Sequence, residues 1–276
     1  PNTQYYDRSF VVIQDPNTGE ILAMAGKQVL PDGKGDYKII DYTAGVVISP
    51  MTSGSVVKGA SMLVAYNQGA IKIGEYQQDE CIKIRSTPEK CSWRTLGYIN
   101  DINALAYSSN VYQYKIAIKV GKGNYKYDQG LSLDEGAFDK YRSMYSSFGL
   151  GVKTGIDLPG ESVGLLPYWA HWDQGIHATM AYGYGTSVTA IQMISAVQAL
   201  ANNGVRVTPH VIKYSQEEYD NKIHHTQVIK PETAQAVTRL LAASVNNGKS
   251  VIKMDSYNVA AKTGTSRKPK EGGAGY

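Results

Sequence analysis

Arg8-Ser-Phe-Val-Val-Ile-Gln14 is a short β-branched, apolar run, and Glu20-Ile-Leu-Ala-Met-Ala25 is another. Asp15-Pro-Asn-Thr-Gly19 between them is dense in turn formers, so the three segments predict a β-hairpin. Gly26 to Gly54 is rich in Gly, Asp and Pro and reads mostly as loop. From Ser55 to Asn67 the apolar positions Val56, Val57, Ala60, Leu63 and Val64 follow a helical period, with Gly69 soon after the end. Helical patterns recur at Ile102–Ala106, Val111–Val120, Ala137–Ser147, Ala190–Asn202 and Glu232–Asn246, the last with Pro231 in its favoured first-turn place. Strand patterns return at Gly204–Ile212 and Tyr257–Thr265. Strands at both ends with helices between predict a mixed α/β (α+β) fold. Its antiparallel sheet is built from both chain ends and covered by helices, with a helical subdomain at about 70–190. The 276 residues form one domain, 1–276, without an internal repeat.

Composition narrows the function classes. The chain is 42% apolar and 19% charged, with a net charge of +4. Its basic residues are scattered, and the densest cluster, Arg267-Lys268-Pro269-Lys270, reads as a solvated loop. A nucleic-acid surface needs several cations converging on one face, so no nucleic-acid partner is expected. Cys81 and Cys91 are too few for a Cys-rich zinc site or an Fe–S cluster. They flank Ser86-Thr-Pro-Glu89, a turn between two short strands, and fit equally a cross-strand disulfide or two free thiols. Twenty-one tyrosines against three Phe and three Trp suit helix packing with hydroxyls at the surface. No apolar run reaches the ~18 residues of a membrane span, and the polar opening Pro1–Arg8 is not a signal peptide.

The five histidines, His171, His177, His210, His224 and His225, show no metal-binding spacing, and His210 after a proline reads as structural. No metal or cofactor is expected, and no Gly-x-Ser-x-Gly elbow is present. What remains is serine with lysine. Ser-x-x-Lys occurs at Ser55–Lys58 and Ser250–Lys253, a number that chance supplies. Ser-x-Asn occurs at Ser108–Asn110, Ser244–Asn246 and Ser256–Asn258, and Lys-Thr-Gly at Lys153–Gly155 and Lys262–Gly264. Order and context select Ser55, Ser108 and Lys262: one opens a helix, one lies between two helices, and one is on a strand. In the first, serine and lysine share a helix face, and a neutral lysine there makes the serine a nucleophile.

With these motifs the chain resembles the penicillin-recognising serine enzymes, most closely the transpeptidase domain of class B penicillin-binding proteins. The resemblance runs through Val11–Ala25, Ser53-Gly-Ser-Val-Val-Lys58, Tyr107-Ser-Ser-Asn110, Phe148–Glu161, Ala181–Gly185 with Ala190–Gln192, and Ala261-Lys-Thr-Gly-Thr265. It implies the serine β-lactamase/transpeptidase-like fold. It also implies a D,D-transpeptidase that cross-links peptidoglycan stem peptides through an acyl-serine and is blocked covalently by β-lactams. By that resemblance Ser55 is the nucleophile and Lys58 its base. Ser108 bridges the lysines and returns a proton to the leaving amine, and Lys262 supplies the second cation. Asn110 binds the substrate amide, and Ser55 and Thr265 N–H groups form the oxyanion hole. Lys262, Thr263 and Thr265, with Gly264 between, hold the terminal carboxylate.

The resemblance further implies a membrane anchor before this chain, a place on the extracytoplasmic face of the cell membrane, and a partner glycosyltransferase of the cell-wall machinery. Ser53-Gly54 stands where the family usually has Pro-Gly. Two strands and a helix are expected after Thr265, whereas the eleven residues that follow read as a mobile loop, leaving a sheet edge and apolar surface open. Two other readings compete. A β-lactamase or carboxypeptidase uses water as acceptor, but Glu161-Ser-Val-Gly-Leu165 lacks the asparagine of the class A Glu-x-x-x-Asn loop. A non-catalytic β-lactam sensor is disfavoured by the transpeptidase-like Asp157-Leu-Pro-Gly-Glu161.

Overall fold

The computed structural model describes residues 7–167, 181, 183, 185–247 and 252–265. Outside them lie His171 and His177, Tyr182 and Tyr184 of the Ala181–Gly185 segment, Ser250 and the basic loop 266–276.

The opening hairpin forms as expected. β1 (Arg8–Gln14) pairs antiparallel with β2 (Ile21–Pro31). The loop expected at 26–54 is largely ordered structure instead. β2 runs on to Pro31 and pairs with β3 (Tyr37–Asp41), giving a three-stranded sheet of order β1-β2-β3. Gly26 lies within β2, and a Cβ there would meet the Tyr42 carbonyl oxygen at 2.4 Å and Phe10 Cδ1 at 2.8 Å, so the close approach requires glycine. Then come α1 (Gly45–Ile48), the two-residue β4 (Met51–Thr52), and a 3-10 turn over Gly54–Val57 that leads directly into α2 (Lys58–Asn67).

β5 (Tyr76–Asp79) and β6 (Gly97–Asn100) make a small antiparallel pair that the hydrophobic pattern did not reveal, because Tyr76-Gln-Gln-Asp79 is polar. The helices α3 (Asp101–Ala106), α4 (Asn110–Val120) and α5 (Ala137–Ser147) follow their predicted spans. β7 (Ser187–Val188) pairs with β4, and α6 (Ala190–Ala201) opens on a capping box of Thr189 and Gln192. The strand expected at 204–212 shortens to β8 (Val205–Val207), paired with β9 (His225–Gln227) across α7 (Gln216–Lys222). α8 (Pro231–Asn247) closes the set and packs on α2, α3 and α6.

Two apolar clusters hold these elements. The larger joins α2, α4, α5, α6 and α8 around Leu63, Ile116, Phe148 and Leu240. The smaller lies under the sheet, where Phe10 and Val12 meet Val46, Val47, Ile156 and Ile191. The other face of the sheet is also apolar: Val11, Ile13, Leu22 and Ile39 are exposed. Strands apolar on both faces read as continuous runs, as the chain's opening does.

Two further expectations change. Tyr257–Thr265 is not a strand among the described residues, for it has no ladder partner. It is docked on α8 instead, with Ala261 N–H donating to the Leu241 carbonyl and Ser244 Oγ to the Ala261 carbonyl at 2.9 Å. The tyrosine expectation holds at most described positions, which are exposed or half-buried, and changes at a few. Tyr112, Tyr141 and Tyr145 are fully buried, and inside the fold the Tyr112 hydroxyl donates to the Glu75 carbonyl (2.8 Å) while that of Tyr145 meets Ser61 Oγ (2.6 Å). His210 is structural as read, its ring nitrogens lying against the Ile212 and Thr18 carbonyls. Cys81 and Cys91 are joined in a disulfide.

Candidate active site

The Ser55 turn is clamped before it does anything chemical. β4 pairs with β7, and Ser53 N–H donates to the Thr186 carbonyl at 3.0 Å. Val57 and α2 from Lys58 to Ala65 are buried. The 3-10 turn places Ser55 one turn ahead of Lys58, whose backbone N–H donates to the Ser55 carbonyl. Since the first turns of α2 are interior, the Lys58 side chain has nowhere to go but inward, and it is fully buried.

The Ser108 turn receives it. α3 ends at Ala106, and Ser109 caps α4 by accepting from Tyr112 N–H at 2.9 Å. Between the two helices Ser108 takes a left-handed φ of 54°, a conformation that costs a serine ~1 kcal/mol or more. That turn points three acceptors at one ammonium. Lys58 Nζ donates to the Ser108 carbonyl (2.7 Å), Asn110 Oδ1 (2.7 Å) and Ser108 Oγ (3.2 Å).

Lys262 completes the group from the far end of the chain. Its Nζ donates to Ser108 Oγ at 3.1 Å and to the Thr263 carbonyl at 2.8 Å. Ser108 Oγ thus stands between two lysines. Gly264 brings the chain against the Ser55 turn: a Cβ there would lie 2.6 Å from Val56 Cγ2 and 3.1 Å from the Ser53 carbonyl oxygen. Only glycine permits that approach. Thr263 and Thr265 flank it, both exposed.

The charges follow from this packing. Burial, and then the nearby Lys262 charge, lower the Lys58 pKa to about 7, while Asp79 pulls the other way. Burial lowers Lys262 to about 8. Near neutral pH a substantial fraction of Lys58 is a free amine. It then needs only two donors for the Ser108 carbonyl and Asn110, and its lone pair is available as a base.

Ser55 itself is half-buried, and among the described residues its hydroxyl makes no hydrogen bond. The site therefore brings Lys58, Ser108, Asn110 and Lys262 into one hydrogen-bonded cluster. Gly264 lies against the Ser55 turn, and the Thr263 carbonyl accepts from Lys262. Lys153, in the second Lys-Thr-Gly, is exposed and has no part in it. Motif reading missed Asp79, the acidic group acting on Lys58, because it lies in a polar strand without a recognisable pattern. Among the described residues the one group of potential metal ligands, Cys81, Glu89 and Cys91, has both sulfurs in the disulfide.

The family model of the penicillin binding protein transpeptidase domain matches residues 9–276. The chain belongs to that transpeptidase family. It is 37% identical over 284 residues to penicillin-binding protein 2A of Bacillus subtilis, covering 97% of this chain and 39% of that protein. It is 39% identical over 206 residues to penicillin-binding protein H of the same organism, covering 75% of this chain and 29% of that protein. The chain thus spans well under half the length of these relatives. Among solved structures, penicillin-binding protein 2B of Streptococcus pneumoniae strain 5204 superposes with a TM-score of 0.80 at 27% identity, over 95% of this chain and 46% of that one. The mixed α/β fold with antiparallel sheets is that of this transpeptidase family, and the homologues are bacterial penicillin-binding proteins.

Proposed function

We propose that this domain is a serine D,D-transpeptidase of peptidoglycan synthesis, with Ser55 as nucleophile. The observation that carries the reading is the cluster around Ser108, where a buried lysine of lowered pKa sits one turn from a serine whose hydroxyl makes no hydrogen bond among the described residues. Ser55 Oγ attacks the carbonyl of the penultimate D-alanine in a stem peptide while its proton passes to Lys58. The tetrahedral oxyanion is held by the Ser55 and Thr265 N–H groups; one such donor is typically worth ~3–4 kcal/mol. Collapse breaks the peptide bond to the terminal D-alanine. Its amine takes the proton from Lys58 through Ser108 Oγ, the hydroxyl between the two lysines. An amine of a second stem peptide then attacks the acyl-serine, giving the cross-link and restoring Ser55. Lys262, Thr263 and Thr265 bind the terminal carboxylate, and Asn110, whose Oδ1 is committed to Lys58, turns its amide N–H groups to the substrate backbone. A β-lactam enters the same site and stops at the acyl-enzyme.

A water-activating role for Glu161 is disfavoured by what that carboxylate already does. It accepts from Thr154 N–H and Oγ1, both at 2.6 Å, and from Gly155 N–H at 3.2 Å. The disulfide suits an oxidising compartment, in line with the extracytoplasmic membrane face. Among the described residues no helix is long and apolar enough to cross a membrane, so an anchor would lie elsewhere in the protein. A cell-wall glycosyltransferase is the partner proposed.

Intact-mass spectrometry after incubation with a penicillin tests the nucleophile. A stable adduct of one penicillin, absent in Ser55→Ala, is expected. An adduct that persists in the folded Ser55→Ala variant would remove Ser55 from its role, and one that vanishes within seconds would turn the reading to a β-lactamase. The rate of adduct formation should rise with pH through about 7 as Lys58 loses its proton, and fall above about 8 as Lys262 loses its own. Two limbs so close describe the coupled pair.

A further inference from the structure

The disulfide-closed loop places two side chains directly behind the Ser108 turn. Asp79 ends β5 just before Cys81, and Ser92 follows Cys91. Buried Asp79 accepts from Ser92 Oγ at 3.0 Å and, in a shorter contact, from Ser109 Oγ. Ser92 Oγ accepts in turn from the N–H groups of Asn110 (3.2 Å) and Val111 (3.3 Å), the first donors of α4. Next in sequence, Trp93 Nε1 donates to the Tyr107 carbonyl at 2.8 Å, and the Arg94 guanidinium lies over both the Trp93 and Tyr107 rings. Every residue from Tyr107 to Val111 is therefore held from this side or by Lys58 and Lys262.

We propose that Asp79 and Ser92, brought together by the Cys81–Cys91 disulfide, are positioning residues that fix the Ser108–Asn110 turn against Lys58. This rests on the reading of Lys58 as the base of Ser55. The strained φ of Ser108 needs such support, because a serine left to itself relaxes from the left-handed region. Asp79 adds a charge effect: its carboxylate opposes Lys262 at Lys58 and so keeps the amine from losing its proton too readily. Of the elements packed on α2, α4 carries Lys115 and Lys119, bound to Glu80 and Glu75. α5 carries Asp139 paired with Arg142, and Lys140 paired with Asp134. α8 carries Glu232 and Arg239. Lys262 and Asp79 are the charges that act on Lys58.

The test is the rate of acylation by a fluorescent penicillin, measured on the full chain across pH. In Asp79→Asn, which keeps the shape and removes the charge, the acidic limb should move to lower pH by about half a unit or more, since a nearby anion no longer favours the lysine cation. A side chain that only fills space would change the rate and leave the limb in place. Ser92→Ala, which frees two α4 donors without changing any charge, should slow acylation about tenfold with the limb unmoved. A limb for Asp79→Asn that coincides with the parent protein, or a Ser92→Ala rate within about twofold of it, overturns the proposal; should Asp79→Asn not fold, the Ser92→Ala rate decides alone. Ser55→Ala run alongside separates this from the underlying reading, because an adduct retained there sinks the nucleophile whatever the pH profiles show.

Discussion

The chain contains Lys-Thr-Gly twice, and the two copies do opposite things with the same groups. At Lys153-Thr154-Gly155 the threonine hydroxyl and two backbone N–H groups wrap the protein's own Glu161 carboxylate, and Gly155 takes a φ of +87° to make the wrap. The lysine of that copy points to solvent. At Lys262-Thr263-Gly264 the lysine is drawn in toward Ser108, the glycine is needed for close approach to Val56, and the threonine faces outward. One copy is a filled carboxylate site that closes a loop; the other turns its lysine to Ser108 and leaves its threonine exposed. A tripeptide has no function of its own, and which neighbour fills its donors decides what it does.

The two copies should differ most at their lysines. Lys262→Ala should slow acylation by penicillin roughly 10²–10³-fold, the usual loss when one charge-stabilising group is removed, whereas Lys153→Ala should stay within about twofold of the parent rate. Equal losses would mean that the copies are not distinct.

Stability should show the reverse. Glu161→Ala strands two backbone donors and a threonine hydroxyl, and should cost about 2–3 kcal/mol, read as a fall of roughly 5–10 °C in the melting temperature. Thr263→Ala, whose side chain is exposed, should leave the melting temperature within about 1 °C.

The glycines sharpen the contrast at smaller cost. Gly264→Ala pushes the chain off Val56 and should slow acylation about tenfold with little loss of stability. Gly155→Ala forces a left-handed alanine and should cost about 1–2 kcal/mol while leaving the acylation rate of the folded protein unchanged. The ordering of the two variants should therefore invert between a melting curve and an acylation time course.

Much of this was legible before any coordinates. α3, α4, α5, α6 and α8 carry their apolar faces in the local pattern, and each lies within a residue or two of the predicted span, whereas α7 (Gln216–Lys222), which buries no residue, shows no such pattern and was not foreseen. Ser55, Ser108 and Lys262 could be picked out by the order of their motifs and by the helices at Ser55 and around Ser108, although the strand expected to carry Lys262 is not one among the described residues. β5 was hidden, since Tyr76-Gln-Gln-Asp79 is half-buried by polar residues whose partners lie in β6 and in the Ser92–Ser109 network. The strand expected at Tyr257–Thr265 failed for a related reason: a β-like composition specifies a strand only where a neighbour supplies the ladder, and here α8 takes that place. Asp79 was beyond sequence reading altogether, because an acidic side chain shows its role only when the buried lysine it acts on is in view.

Burial beside the Ser108 turn, with the Lys262 charge, lowers Lys58 to about 7, so that a substantial fraction is a free amine near physiological pH. The direct measurement is an NMR titration of the lysine side chains labelled at Cε, with Lys58 assigned through Lys58→Arg. The account predicts one lysine titrating near 7, and a rise of that midpoint in Lys262→Met, where the repelling charge is gone. A Lys58 midpoint in lysine's ordinary range, unaffected by Lys262→Met, would contradict it.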